Sequence, residues 1–221
     1  MEDRLILVDE QDRETGSCGK MEAHENGLLH RAFSIFLFRK ILVDEPDGTR
    51  TFHIQLLIQQ RAEGKYHSAG LWANSCCSHP RLGEEVLEAA ARRLPEETGY
   101  TIADLEGGEA GSDTAADGNA AAALEEKGAF LYKADFDNGL TEHEFDHVLV
   151  GWLARGKQDK APAPNPEEAS RMEFVDVEQV MQDVLRTPGK YAAWFMPALL
   201  IATDGEAYGS LNREASDLIK Y

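Results

Sequence analysis

An α+β sandwich is the fold class this sequence predicts, and three observations predict it. Ala32 to Val43 (AFSIFLFRKILV) is a long apolar run rich in Phe and Ile, and Thr51 to Gln60 follows it across a turn at Pro46-Asp47-Gly48. That pair reads as a buried hairpin. Glu84 to Leu94 spaces Leu87, Ala90, Ala91 and Leu94 by three and four residues, which makes an amphipathic helix. Further strands and helices alternate without the regular rhythm of a parallel βαβ sheet. At 221 residues the chain fits one domain carrying an insertion.

The remaining elements follow in order. Arg4 to Val8 (RLILV) is a strand closed by the turn-like Asp9 to Asp12. Gly19 to His30 is a polar segment carrying His24 and His30, and Arg61 to Ser68 is a loop bringing Arg61, Lys65 and His67. Pro95 removes a backbone donor from the helix after Glu84, so a kink or tightening is expected before Gly99 ends it. Glu106 to Glu126 is rich in Gly, Ala and Asp with almost no large apolar residue, the mark of an acidic low-complexity surface insertion. Ala129 to Asp135 and Glu144 to Leu153 are strands, and Arg171 to Val177 is a short strand leading into a helix up to Leu185. Ala192 to Thr203 and Asn212 to Tyr221 read as C-terminal helices.

Composition narrows the function. Forty acidic against 22 basic residues give a formal charge of −18, which repels nucleic acid and anionic lipid. An anionic substrate would need local cations set against that field. No run approaches a membrane span, and no apolar core follows the acidic N-terminus, so a cytoplasmic protein is expected. Three cysteines, two of them adjacent (Cys18, Cys76, Cys77), make no disulfide framework and point to a reduced compartment with a reactive thiol.

The chemistry centres on Asn74-Ser75-Cys76-Cys77-Ser78-His79-Pro80. On an extended backbone residues two apart face the same way, so Cys77 and His79 look into one cavity while Cys76 points elsewhere. Glu142 and Glu144 alternate on a strand in the same manner. Glu84, Arg92, Glu96, Glu97 and Gly99 fit the pattern E-x7-R-x-L-x-E-E-x-G. Carboxylates so placed on a helix facing a loop can hold a divalent cation against phosphate oxygens, although glutamates alone would be an ordinary solvated face.

That spacing resembles the Nudix box, with two departures. Its opening glycine falls on Ser78, and Arg93 replaces the glutamate that follows the box arginine. The second change disfavours a Nudix-type pyrophosphohydrolase, which remains the alternative reading. Taken with Lys20-x3-His24, His30-Arg31-Ala32-Phe33-Ser34, Arg61-x3-Lys65, Leu71-Trp72-x-Asn74-Ser75, Cys77-x-His79-Pro80, Tyr132 and Glu142-x-Glu144, the chain resembles the type I isopentenyl-diphosphate isomerases.

The resemblance implies a single Nudix-like domain over residues 1–221, an α/β/α sandwich with a mixed sheet. It implies interconversion of isopentenyl and dimethylallyl diphosphate through a carbocation, in isoprenoid biosynthesis. One Mn²⁺, Mg²⁺ or Zn²⁺ is expected on His24, His30, His79, Glu142 and Glu144, a donor set suited to such ions. A second ion, Mg²⁺, is expected with the substrate diphosphate at Glu97. Cys77 and Glu144 are the implied proton-transfer groups, with Tyr132 beside the glutamate and Trp194 covering the cation. A thiol near cations would be readily ionised. Lys20, Arg61, Lys65, Arg92 and Arg93 are the implied diphosphate contacts. His53, His67, His143 and His147 fall outside the implied metal set. The expected partner is the isoprenoid diphosphate alone, with no nucleic acid and no membrane, on a monomer or weak dimer.

Overall fold

The computed structural model describes residues 4–44, 46–108 and 123–204. Most of the Glu106 to Glu126 insertion and the helix expected at Asn212 to Tyr221 lie outside the described residues. The chain forms strands β1 (Arg4–Val8), β2 (Glu14–Gly19), β3 (His30–Asp44), β4 (Arg50–Arg61), β5 (Trp72–Ala73), β6 (Cys76–Ser78), β7 (Leu124–Asp135), β8 (Thr141–Trp152) and β9 (Ala169–Asp176). Among the described residues, the α-helices are α1 (Lys20–Asn26), α2 (Val86–Thr98), α3 (Val177–Arg186) and α4 (Phe195–Ala202). Leu124 to Glu126, read as part of the insertion, are already strand.

The sheet is mixed, and β3 is its spine. It runs parallel to β8 and antiparallel to β4, β6 and, at its first residue, β1. Its side chains alternate between the two faces, and this alternation separates the core in two. Ile35, Leu37 and Leu149 pack with Ala89, Ala90 and Leu94 of α2. Phe36, Phe38, Val148 and Val150 pack with Val180 and Val184 of α3 and Ala198 and Leu199 of α4. The result is helix, sheet, helix, the α/β/α sandwich with a mixed sheet.

Three local features depart from expectation. The polar segment after Gly19 is helix α1, closed by Gly27 in the left-handed region at φ 60°. Strand β2 pairs with β1 despite its Gly and Ser content. Helix α2 runs unbroken through Pro95 to Thr98. Pro95 sits in the last turn, where it deletes one backbone bond, and the Gly99 N–H closes the end on the Pro95 carbonyl at 3.1 Å. Gly99 adopts φ 76°, and a Cβ there would meet Ala163 Cβ at 2.7 Å, so only glycine fits.

Candidate active site

The site continues the α3/α4 face of the sheet toward the starts of β3 and β8. Along β3, Phe38 and Phe36 give way on that face to Ser34 and then His30; along β8, Val150 and Val148 give way to Asp146, Glu144 and Glu142. Register makes a row of this. His30 pairs with Glu144, and Glu144 pairs with Tyr132 of β7, so three side chains stand abreast on neighbouring strands. On the other edge of β3, Cys77 of β6 pairs with Ser34 and Cys76 pairs with Ile35. Cys77 therefore faces the site, while Cys76 is buried in the α2 core.

A cavity brings these groups together. Its walls include Cys77, His79, Tyr132, Glu142, Glu144 and Trp194. Lys20, Arg61, Lys65, Arg93 and Glu97 line the same cavity. Arg92 does not join them. Its guanidinium is held on Glu84 by bonds of 2.7 and 2.8 Å, and it lines an adjoining cleft with Arg4 and Arg81.

The donor chemistry fits a divalent cation. His24 and His30 commit their Nδ1 atoms to the Lys20 and Leu28 carbonyls at 2.7 and 2.8 Å. Those bonds require protonated Nδ1, leaving each Nε2 as a lone pair. His24, His30, His79 and Glu144 each offer a ligand atom, all within 4.8 Å of one another. Burial pulls the His79 imidazole down to about 3 and lowers His24, so both are neutral near pH 7, the state in which an imidazole can ligate a metal. Among the described residues, His30 Nε2 and Glu142 Oε2 have no hydrogen-bond partner, although Nε2 lies 3.4 Å from Glu144 Oε1. Orphaned buried atoms are costly unless an ion or ligand takes them up.

Glu142 enters through a second grouping, with His24 and His67. His67 is a correction to the sequence reading, which left it outside. It is buried, its Nε2 lies 3.0 Å from Glu142 Oε1, and its ring stacks on His24 at 5.7 Å. Its position two residues after Lys65, in the loop already carrying Arg61 and Lys65, was the available signal. His143 and His147 point away, to the Gly27 carbonyl and to Asp12 and Glu126 respectively.

The two glutamates share their ionisation unequally. Burial raises Glu144, but the adjoining His30 and His79 side chains outweigh it and hold the carboxyl well below the ordinary range. Burial and the neighbouring Glu144 charge push Glu142 well above it. Tyr132 donates its hydroxyl to Glu144 Oε2 at 2.6 Å. Asp146 accepts the Ser34 hydroxyl at 2.8 Å and is likewise driven up by burial. Cys77 overturns one expectation. Burial, then the Glu97 charge, push its thiol up, and the nearby Arg61 does not reverse this.

Two of the basic groups lining the cavity, Arg93 and Lys65, are paired within the protein. Arg93 reaches Glu97 at 2.7 Å, Glu168 at 2.9 Å and Glu96 at 2.5 Å. Glu168 also takes Lys65. Glu168 was not singled out from the sequence, because the polar stretch before β9 shows no periodicity to mark it. Glu97 is buried, 1% exposed, whereas the Glu96 side chain is 44% exposed. One residue of helical rotation thus separates a cavity group from a surface group.

The NUDIX domain family matches residues 40–195. The chain is 42% identical over 199 residues to Isopentenyl-diphosphate Delta-isomerase 2 of Aromatoleum aromaticum, covering 90% of this chain and 86% of that protein. It is 42% identical over 196 residues to Isopentenyl-diphosphate Delta-isomerase of Serratia proteamaculans, covering 89% of each. The chain belongs to the NUDIX family, and within it to the isopentenyl-diphosphate Delta-isomerases. Its fold is also similar to that of DR0079 from Deinococcus radiodurans, with a TM-score of 0.57 at 20% identity over 90% of this chain and 97% of that one. Membership in the isomerases gives the Arg93 departure its sense: in place of the Nudix box glutamate, a cation stands at the cavity wall bonded to three carboxylates.

Proposed function

We propose that this chain interconverts isopentenyl and dimethylallyl diphosphate, with Cys77 and Glu144 as its proton-transfer groups. The observation that carries the reading is that this thiol and this carboxyl, from distant segments, line one cavity that Lys20, Arg61, Lys65 and Arg93 also line. Moving a double bond by one carbon needs a proton added at one end of the allyl unit and one removed at the other. Glu144, relaying through the Tyr132 hydroxyl, protonates the terminal carbon, and the Cys77 sulfur takes the proton from C2. The tertiary cation between these steps lies against the Trp194 indole, whose face is worth about 2 kcal/mol to a desolvated cation.

The protonation states support a reversible cycle. A protonated Cys77 and an ionised Glu144 are the states from which the dimethylallyl-to-isopentenyl direction starts. The opposite direction starts once a proton has passed from sulfur to the Glu144–Tyr132 pair. A divalent ion, Mn²⁺, Mg²⁺ or Zn²⁺, would be held by His24, His30, His79, Glu142 and Glu144, and when bound it would supply fixed positive charge that organises the carboxylates. His67 would orient Glu142. Glu97 would hold Mg²⁺ against the diphosphate, beside Arg93. Three free thiols, Cys18, Cys76 and Cys77, support a reducing, cytoplasmic setting.

The test is direct. Purified protein with Mg²⁺, reductant and isopentenyl diphosphate should form the dimethylallyl isomer and, in D₂O, incorporate deuterium. Absence of conversion with the metal site loaded would refute the reading, as would phosphate release from a nucleotide panel without isomerisation.

A further inference from the structure

Asn74 lies between β5 and β6 and is fully buried, 0% exposed. Its side-chain nitrogen faces two backbone carbonyls, Ile35 O at 3.1 Å and Cys76 O at 2.9 Å. Carbonyl oxygens only accept, so the amide orientation is settled by its surroundings. The opposite atom, Oδ1, must then meet donors, and it meets two: the Cys77 thiol at 2.9 Å and the Trp194 indole N–H at 3.0 Å. The neighbouring Ser75 braces the same segment, accepting from Leu37 N at 2.8 Å and donating to the Leu57 carbonyl at 2.7 Å. Asn74 is thus anchored to β3 on one side and carries two cavity groups on the other.

We propose that Asn74 is a positioning residue whose one carboxamide oxygen fixes the Cys77 sulfur and the Trp194 ring relative to each other. The inference rests on the roles assigned above to those two side chains. In that chemistry sulfur handles the proton on C2 and the indole covers the charge on the adjacent carbon. The two groups must therefore keep a fixed arrangement about neighbouring carbons, although they come from segments more than a hundred residues apart in sequence (|i−j| 120 for the Asn74–Trp194 bond). A common acceptor does this with no flexible linkage between them. Misplacement by about 1 Å from the reacting geometry can cost on the order of a hundredfold in rate.

The experiment compares Asn74→Ala with Asn74→Asp. A buried neutral carboxylic acid has the shape of the amide: its O–H can donate to the Ile35 or Cys76 carbonyl, and its C=O keeps both donors. Asn74→Ala should lower kcat by roughly ten- to a hundredfold with KM within about threefold, and Asn74→Asp should recover much of kcat at low pH. A merely structural residue predicts instead that Asn74→Ala loses folded protein while kcat per folded molecule stays near wild type. Asp no better than Ala, or Ala with unchanged kcat, would overturn the proposal. Should neither variant fold, the wild-type chain answers instead. Alkylating Cys77 removes its S–H from the shared oxygen and should move the Trp194 indole N–H resonance, assigned through Trp194→Phe, more than those of Trp72 and Trp152. No selective movement would overturn the proposal. A fully active Cys77→Ala would strike the role assignment rather than Asn74.

Discussion

Asp104 and Glu142 are buried to the same degree, 4% and 3% exposed, and their oxygens have opposite surroundings. Asp104 Oδ2 takes Lys160 at 2.5 Å, the Thr101 N–H at 3.0 Å and its hydroxyl at 3.1 Å, and Oδ1 takes Lys157 at 3.0 Å. Glu142 has His67 on one oxygen and, among the described residues, nothing on the other. A carboxylate with every lone pair matched holds structure together. One buried with an unmatched oxygen costs stability unless something outside the chain completes it. The difference separates the two kinds of site without reference to any relative.

The largest effects should therefore come from the incomplete cluster. Cys77→Ala and Glu144→Gln should each lower isomerisation by about a thousandfold or more, since losing a positioned acid or base costs roughly 10²–10⁴. Far-ultraviolet circular dichroism should stay unchanged. Turnover within tenfold of wild type in either variant would break the contrast.

Histidines sharpen it next. His30→Ala removes a nitrogen with no hydrogen-bond partner among the described residues and should lose bound metal by elemental analysis. His147 lies between Asp12 at 3.1 Å and Glu126 at 2.8 Å, with both nitrogens matched. His147→Ala should keep the metal and instead lower stability by about 1–2 kcal/mol. The arginines form a third pair. Arg93→Ala should raise KM roughly tenfold or more, the value of a charge-assisted contact. Arg92 does not line the cavity, so Arg92→Ala should move KM by less than about threefold.

The fold was legible where apolar runs are long. β3, β4 and β8 declare themselves by continuous hydrophobic stretches, and α2 by its spacing and terminal Gly99. Helix α1 and strand β2 were not legible, because both are short, polar and stabilised by their packing rather than by propensity. The site divides in the same way. Glu142 and Glu144 could be read because period-two geometry aligns them within β8, and Cys77 and His79 because they stand two apart in the Asn-Ser-x-Cys-x-His-Pro motif. His67 and Glu168 could not, because they reach the cavity from loops, where position follows from tertiary packing alone. The state of the Cys77 thiol was misjudged for a related reason: sequence counts nearby cations but not the burial that opposes them.

The smallest effect lies at the completed cluster and tests the other half of the contrast. Burial alone would raise the Asp104 carboxyl, but the Lys160, Thr101 and Lys157 hydrogen bonds outweigh it and hold the group well below its ordinary value of 3.8. A carboxyl depressed in the folded state stabilises fully above its unfolded value and loses that contribution as pH falls toward the folded one. Asp104→Asn should therefore lower stability by about 1–2 kcal/mol at pH 7, discounted because both lysine partners are 36% or more exposed. The gap between the two proteins in urea melts should narrow below about pH 4 and not above it. Isomerase turnover and metal content should match wild type throughout. A gap independent of pH would mean that Asp104 acts by shape rather than charge, and a loss of metal would mean that the two carboxylates are not the separate kinds of site their surroundings make them.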